Sequence, residues 1–143
     1  MKIVRDHAKR LLDLSQETYI KMMLERYHMQ DSKPIDTPVD KSLSLSRDMC
    51  PKTPKEKKKI SKVPYASVVS SLMYAMMCTR LDICYAVGLV SRYQSNPDQK
   101  YWMTVKGILR YLKETSGYML CYQGKKDLQL IGYSDADWGG DID

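Results

Sequence analysis

The sequence predicts a mainly α protein with short β hairpins. Three observations predict it. Apolar residues recur at helical spacing through the middle of the chain, and both ends alternate at strand spacing. Between the first helix and the rest lies a stretch crowded with Pro, Ser and Lys.

At the N-terminus, Lys2 to Arg5 and Lys9 to Leu14 read as two strands joined by Asp6, His7 and Ala8. Ser15 is a good N-cap, and Glu17 in the first turn suits the positive end of a helix dipole. The helix that follows is expected to run about 14 residues. It sets Tyr19, Met23 and Tyr27 on one face, with Ile20 and Leu24 beside them.

Residues 30–63 carry Pro34, Pro38, Pro51 and Pro54 and few apolar side chains. The prolines forbid a continuous helix, so an exposed, mobile connection of about 30 residues is expected. Pro64 then opens the strongest helix. In it Val68, Val69, Leu72, Met73, Met76 and Met77 form a stripe that belongs in a core. A third helix follows Thr79-Arg80-Leu81-Asp82, aligns Ile83, Val87 and Val90, and stops at Asn96-Pro97. Asn96 is positioned to cap a fourth, whose face is Trp102, Val105, Ile108, Leu109 and Leu112. Gly117 lies where that helix is expected to end. The period then changes. Tyr118 to Tyr122 and Leu128 to Ser134 read as a hairpin around Gly124-Lys125-Lys126-Asp127, delivering Asp135 at its end and Asp137 on the same face.

The length of 143 residues suits one ordinary domain, and a hydrophobic fraction of 43% excludes a chain disordered throughout. Phe is absent while Tyr (11) and Met (10) are abundant, so these two must share the core with Leu, Ile and Val. The net charge of +6 is concentrated: residues 52–62 hold six lysines against the single Glu56. Such a run suits a solvated linker, a phosphate-contacting segment (Lys55, Lys57, Lys58 and Lys59) or a nuclear-import patch.

Cys50, Cys78, Cys84 and Cys121 form no CxxC pair, and only His7 and His28 accompany them, so no metal site is expected. Cys78 and Cys84 lie in apolar stretches and read as buried free thiols. Charge interrupts the N-terminus before any signal-peptide core, and no apolar run reaches membrane-spanning length, so neither a signal peptide nor a membrane span is expected.

Several ordered motifs resemble the Pol polyprotein of copia-type (Ty1/copia) LTR retrotransposons. They are Leu14-Ser15-Gln16 to Tyr19-Ile20, Lys33-Pro34 to Thr37-Pro38, Ser71-Leu72-Met73-Tyr74 and Cys78-Thr79-Arg80 to Asp82-Ile83. Tyr85-Ala86-Val87 to Ser91-Arg92-Tyr93, Ile108-Leu109-Arg110-Tyr111-Leu112-Lys113 and Tyr133-Ser134-Asp135-Ala136-Asp137-Trp138 continue the series. The resemblance implies four segments. Residues 1–29 would be the end of a reverse transcriptase palm and a first helix, 30–63 a linker, 64–117 a helical thumb-like bundle with its connection, and 118–143 an incomplete, truncated RNase H-like hairpin.

It also implies that Asp135 is the first RNase H carboxylate. A two-Mg²⁺ site needs several carboxylates together. The remaining ones, and the polymerase carboxylates, are expected outside this stretch, so no enzyme activity and no cofactor are expected of the chain itself. Ser70, Leu81, Gly107 and Glu114 depart from the family pattern. Gly107 is the notable one, because glycine inside a helix costs about 1 kcal/mol.

A second resemblance is to secreted RxLR-class effectors of plant-pathogenic oomycetes. It implies secretion, delivery into the host plant cell (nucleus or cytoplasm), a host protein partner and suppression of defence-linked cell death. Arg10 and Leu12 give an Arg-x-Leu without the closing Arg. An inert retrotransposon remnant and a weak RNA or DNA binder working through Lys52–Lys62 are the alternatives.

Overall fold

The computed structural model describes residues 1–39, 50, 51, 53–124 and 132, without the side chains of Lys55, Lys57 and Lys59. Three strands and five α-helices occur among them: β1 (Lys2–Asp6), β2 (Leu11–Ser15), α1 (Glu17–Arg26), α2 (Pro54–Ile60), α3 (Tyr65–Cys78), α4 (Cys84–Ser91), α5 (Gln99–Glu114) and β3 (Met119–Gln123). A short 3₁₀ turn, Leu81–Ile83, leads into α4. No helix among the described residues is long and apolar enough to cross a membrane.

The N-terminal hairpin forms as expected, with Arg10 closing its turn at φ 52°. Helix α1 is shorter than expected, at 10 residues. It begins one residue late because Gln16 occupies the cap position, while Ser15 Oγ still accepts from the Glu17 N–H at 3.2 Å. It ends because His28 turns left-handed, at φ 55°. There the Met29 N–H bonds back to the Leu24 carbonyl (2.8 Å) and the His28 N–H to that of Glu25 (3.1 Å). This is the Schellman arrangement, with histidine where glycine is the usual choice.

The core lies between α1, α3, α4 and α5. Ile20, Val68, Val69, Leu72, Ile83, Val87, Val90, Val105, Ile108, Leu109 and Leu112 are all fully buried. With no phenylalanine available, tyrosines fill the larger spaces and their hydroxyls need partners. Tyr65 Oη donates to the Val90 carbonyl at 2.8 Å, Tyr19 Oη donates to that of Ser71 at 3.1 Å, and Tyr27 Oη shares hydrogen bonds with Ser67 and Ser71. Tyr101 is fully buried and stacks on Tyr93, with ring centroids 4.1 Å apart. Burial pushes the Tyr65 hydroxyl well above the usual phenol range.

Four expectations need correction. Met77 is 77% exposed rather than core, because it falls on the outer edge of the α3 stripe. Cys84 is exposed, as the first residue of α4, and Cys78 is only half-buried. Asp98, not Asn96, caps α5, its side chain accepting from the Lys100 N–H. The connection over 30–63 holds the helix α2, described below, and its beginning is tied to α5. There the Ser32 carbonyl accepts from Lys113 Nζ (2.6 Å) and the Lys33 carbonyl accepts from Arg110 Nε.

The strand expected over 118–122 is present. It forms as β3, and among the described residues its partner is β2, giving an antiparallel sheet of order β1-β2-β3. Leu12 faces Tyr122 and Leu14 faces Leu120 across that pairing. The second arm expected for the β3 hairpin, 128–134, lies outside the described residues apart from Gly132, as does Asp135.

Candidate nucleic-acid interface

The lysine-rich run is a helix with a defined start. Thr53 and Glu56 form a capping box: the Glu56 N–H donates to Thr53 Oγ1 (3.3 Å), and the Thr53 N–H donates to Glu56 Oε2 (3.1 Å). Pro54 takes the first helical position, where its missing N–H costs nothing. The signal was present in the sequence as Thr-x-x-Glu, and the prolines on either side masked it. Lys55, Lys57, Lys58 and Lys59 all fall within α2. Lys58 is exposed, as is Lys62 just beyond the helix.

Beside α2 a groove opens against the start of α5. It encloses about 180 Å³ and is lined by Glu56, Ile60, Val63, Asp98, Gln99 and Trp102. Glu56 and Ile60 stand four residues apart and so share the face of α2 that borders the groove. Trp102 is half-buried, and Lys106 Nζ sits 5.5 Å from its ring centroid. The Trp102 ring and the Glu56 and Asp98 side chains thus line one groove, with the Lys106 ammonium beside the ring.

The other expected site residues lie elsewhere. Arg10 is exposed in the β-turn, and its carbonyl accepts from the Gly124 N–H at 2.8 Å, which fixes the turn to the end of β3. Leu12 is half-buried in β2. Arg10 and Leu12 therefore belong to the hairpin and are remote from α2 in sequence. No group of three His, Cys, Asp or Glu able to hold a metal occurs among the described residues. Asp135, the expected carboxylate for Mg²⁺, is not one of these residues.

A second polar cluster escaped the sequence reading. Arg80 is only 2% exposed, and its guanidinium makes a bidentate pair with Asp82 at 3.0 and 2.7 Å. The same group donates to the Thr115 carbonyl (3.1 Å) and hydroxyl (2.5 Å) and lies over the rings of Tyr111 and Tyr118. Tyr111 Oη completes the cluster by donating to Asp82 Oδ2 at 2.8 Å. Burial pushes the Asp82 carboxyl up, but the bonds from Arg80 and Tyr111 together outweigh it and hold it below the usual range. Burial, followed by the hydrogen bond to Asp82 and then its charge, pushes the Tyr111 hydroxyl up. Next to it, Thr79 Oγ1 donates to Gln16 Oε1 at 2.7 Å, joining α3 to the start of α1.

No protein-family model matches the chain, and no solved structure matches it. It is 54% identical, over all 143 residues, to the retrovirus-related Pol polyprotein from transposon TNT 1-94 of Nicotiana tabacum, of which it covers 11%. It is 37% identical over 139 residues to the corresponding polyprotein from transposon RE2 of Arabidopsis thaliana, covering 95% of this chain and 9% of that one. It is also 44% identical over 81 residues to secreted RxLR effector protein 161 of Plasmopara viticola, which covers 57% of each. The chain therefore spans about a tenth of the Pol relatives' length and about half of the effector's. From its first residue to its last, it is similar to a stretch of the retrovirus-related Pol polyproteins of copia-type transposons.

Proposed function

We propose that this Pol-related segment holds nucleic acid by its phosphates, without base sequence preference and without catalysing cleavage. The observation that carries the reading is α2, where Lys55, Lys57, Lys58 and Lys59 are gathered on one capped helix. Phosphate binding of this kind gives non-specific dissociation constants of about 10⁻⁴–10⁻⁶ M that weaken steeply with salt. The decisive measurement is a salt titration of binding to an RNA–DNA hybrid, for the parent chain and for Lys57/Lys58/Lys59→Ala. The slope of log affinity against log salt is expected to fall by about 0.9 for each duplex phosphate that the variant no longer neutralises. Identical slopes would remove the lysines from the interface.

The reading includes no cleavage because a two-Mg²⁺ site needs several carboxylates together, and Asp135 is the one that the resemblance supplies. Release of label from a hybrid that disappears on Asp135→Asn would overturn this part.

A second reading is favoured by the 44% identity to the RxLR effector. On it, a product of this sequence is secreted and enters a host plant cell, in nucleus or cytoplasm. There it binds a host protein and suppresses defence-linked cell death. Arg10 and Leu12 lend it little, since both are engaged in the hairpin. Co-expression with a cell-death elicitor in leaf cells decides it: unchanged death at verified protein levels removes this reading.

A further inference from the structure

We propose that the groove between α2 and α5 receives a single unpaired nucleobase, stacked on Trp102, while the lysines of α2 hold the adjoining phosphates. The inference rests on the nucleic-acid reading above and names what the groove adds to it. Three observations converge. The space of about 180 Å³ is of the size of one base, and its walls combine the Trp102 ring with the aliphatic side chains of Ile60 and Val63. Base–aromatic stacking is the usual way in which proteins hold single strands, since every base has a π-face.

The charge pattern selects the part of the nucleotide that enters. Glu56 and Asp98 line the groove and repel phosphate, so the backbone must stay outside, where Lys58 and Lys62 are exposed. A base fits between these opposing signs because it is neutral and carries N–H donors. A carboxylate such as Asp98 accepts from exocyclic amines, as acidic side chains do from cytosine N4.

The orientation of α5 is consistent with this. Asp98 and Gln99 stand one turn before Trp102, on the groove side, whereas Lys106 stands one turn after it and reaches its ring from there. A strand leaving the groove along α5 in that direction passes Lys106, which is exposed.

The test is fluorescence titration of a Trp138→Phe chain, in which Trp102 is the remaining tryptophan. The probes are a single-stranded oligocytidylate of eight nucleotides and an abasic oligomer of equal length and charge. Quenching of Trp102 by the first only, and tighter binding of the first, are expected. Trp102→Leu is expected to lower affinity for the oligocytidylate on the order of ten-fold and to leave the abasic affinity unchanged. Circular dichroism of that variant monitors its fold, and the comparison of the two probes needs no variant at this position. Equal binding and equal quenching by the two oligomers overturn the base pocket while leaving the phosphate reading intact. Quenching by a lysine methyl ester in place of the oligomer overturns it in favour of a cation site. Absence of binding by either oligomer at low salt overturns both readings.

Discussion

Arg80 and Thr115 are joined by two hydrogen bonds from one guanidinium, at 3.1 Å to the Thr115 carbonyl and 2.5 Å to its hydroxyl. Arg80 lies just after α3 and Thr115 just after α5, so the pair fixes the turn before α4 against the end of the longest helix. Replacing Arg80 by Ala removes a buried charge, leaves the Asp82 carboxylate with Tyr111 but no cation, and takes one of two donors from the Thr115 carbonyl. A loss of about 3 kcal/mol in unfolding free energy is expected from urea denaturation. Arg80→Lys should recover only part of it, because an ammonium cannot reproduce the two-pronged geometry toward Asp82.

The Asp82 carboxyl is held below its ordinary pKa in the folded chain, so it releases its proton more readily there than in the unfolded chain. Its contribution to stability is complete above the ordinary carboxylate value and is lost as pH falls through the lowered folded value. Thermal melts recorded from pH 6 down to pH 2.5 should show a destabilisation below about pH 4 that is smaller in Asp82→Asn. Parallel curves for the two proteins would rule this residue out as a source of acid sensitivity.

At Gly107 an added Cβ would lie 3.5 Å from the Pro38 carbonyl and 3.8 Å from Ile35 Cδ1, an ordinary van der Waals separation. Gly107→Ala is therefore expected to stabilise α5 by up to about 1 kcal/mol, raising the melting temperature by a few degrees. Gly107→Arg brings more side chain than this gap holds. Hydrogen exchange should then accelerate at Ile35 to Thr37, where the segment is pushed off α5.

His28 holds a left-handed backbone at the end of α1, a conformation that costs a side-chain-bearing residue about 1 kcal/mol or more. Glycine adopts it without that cost, offset in part by its freer unfolded chain. His28→Gly should thus be neutral to stabilising, by up to about 1 kcal/mol, and His28→Val should destabilise. Chemical denaturation of the three proteins reads the order directly, and a more stable valine variant would contradict the Schellman assignment.

The helical core was legible because its signal is local. Val68, Leu72, Val87, Ile108 and Leu112 repeat at the helical period, and all five are buried. Arg80 was illegible because arginine is ordinarily a surface residue, and only the approach of Thr115, 35 positions away, makes a buried place for it. Lysines 55 to 59 were readable as charge. The groove beside them was not, since Trp102 reads as one member of a core stripe until α2 is set next to it. The Thr53–Glu56 capping box was written in the sequence and obscured by its prolines. Strand β3 was correctly placed, but its pairing with β2 was not foreseen, because alternation marks a strand without naming its neighbour.

That partnering has a kinetic consequence. Leu12 meets Tyr122 and Leu14 meets Leu120 across more than 100 residues of chain, whereas most of the helix packing joins near neighbours. Pairings between such distant positions must overcome loop-closure entropy before they gain anything. The helices are therefore expected to assemble first and to bring the two distant strands within reach of each other. A chain ending at Gly117 would keep its helical core, lose β3, and leave the outer side of β2 without a ladder partner.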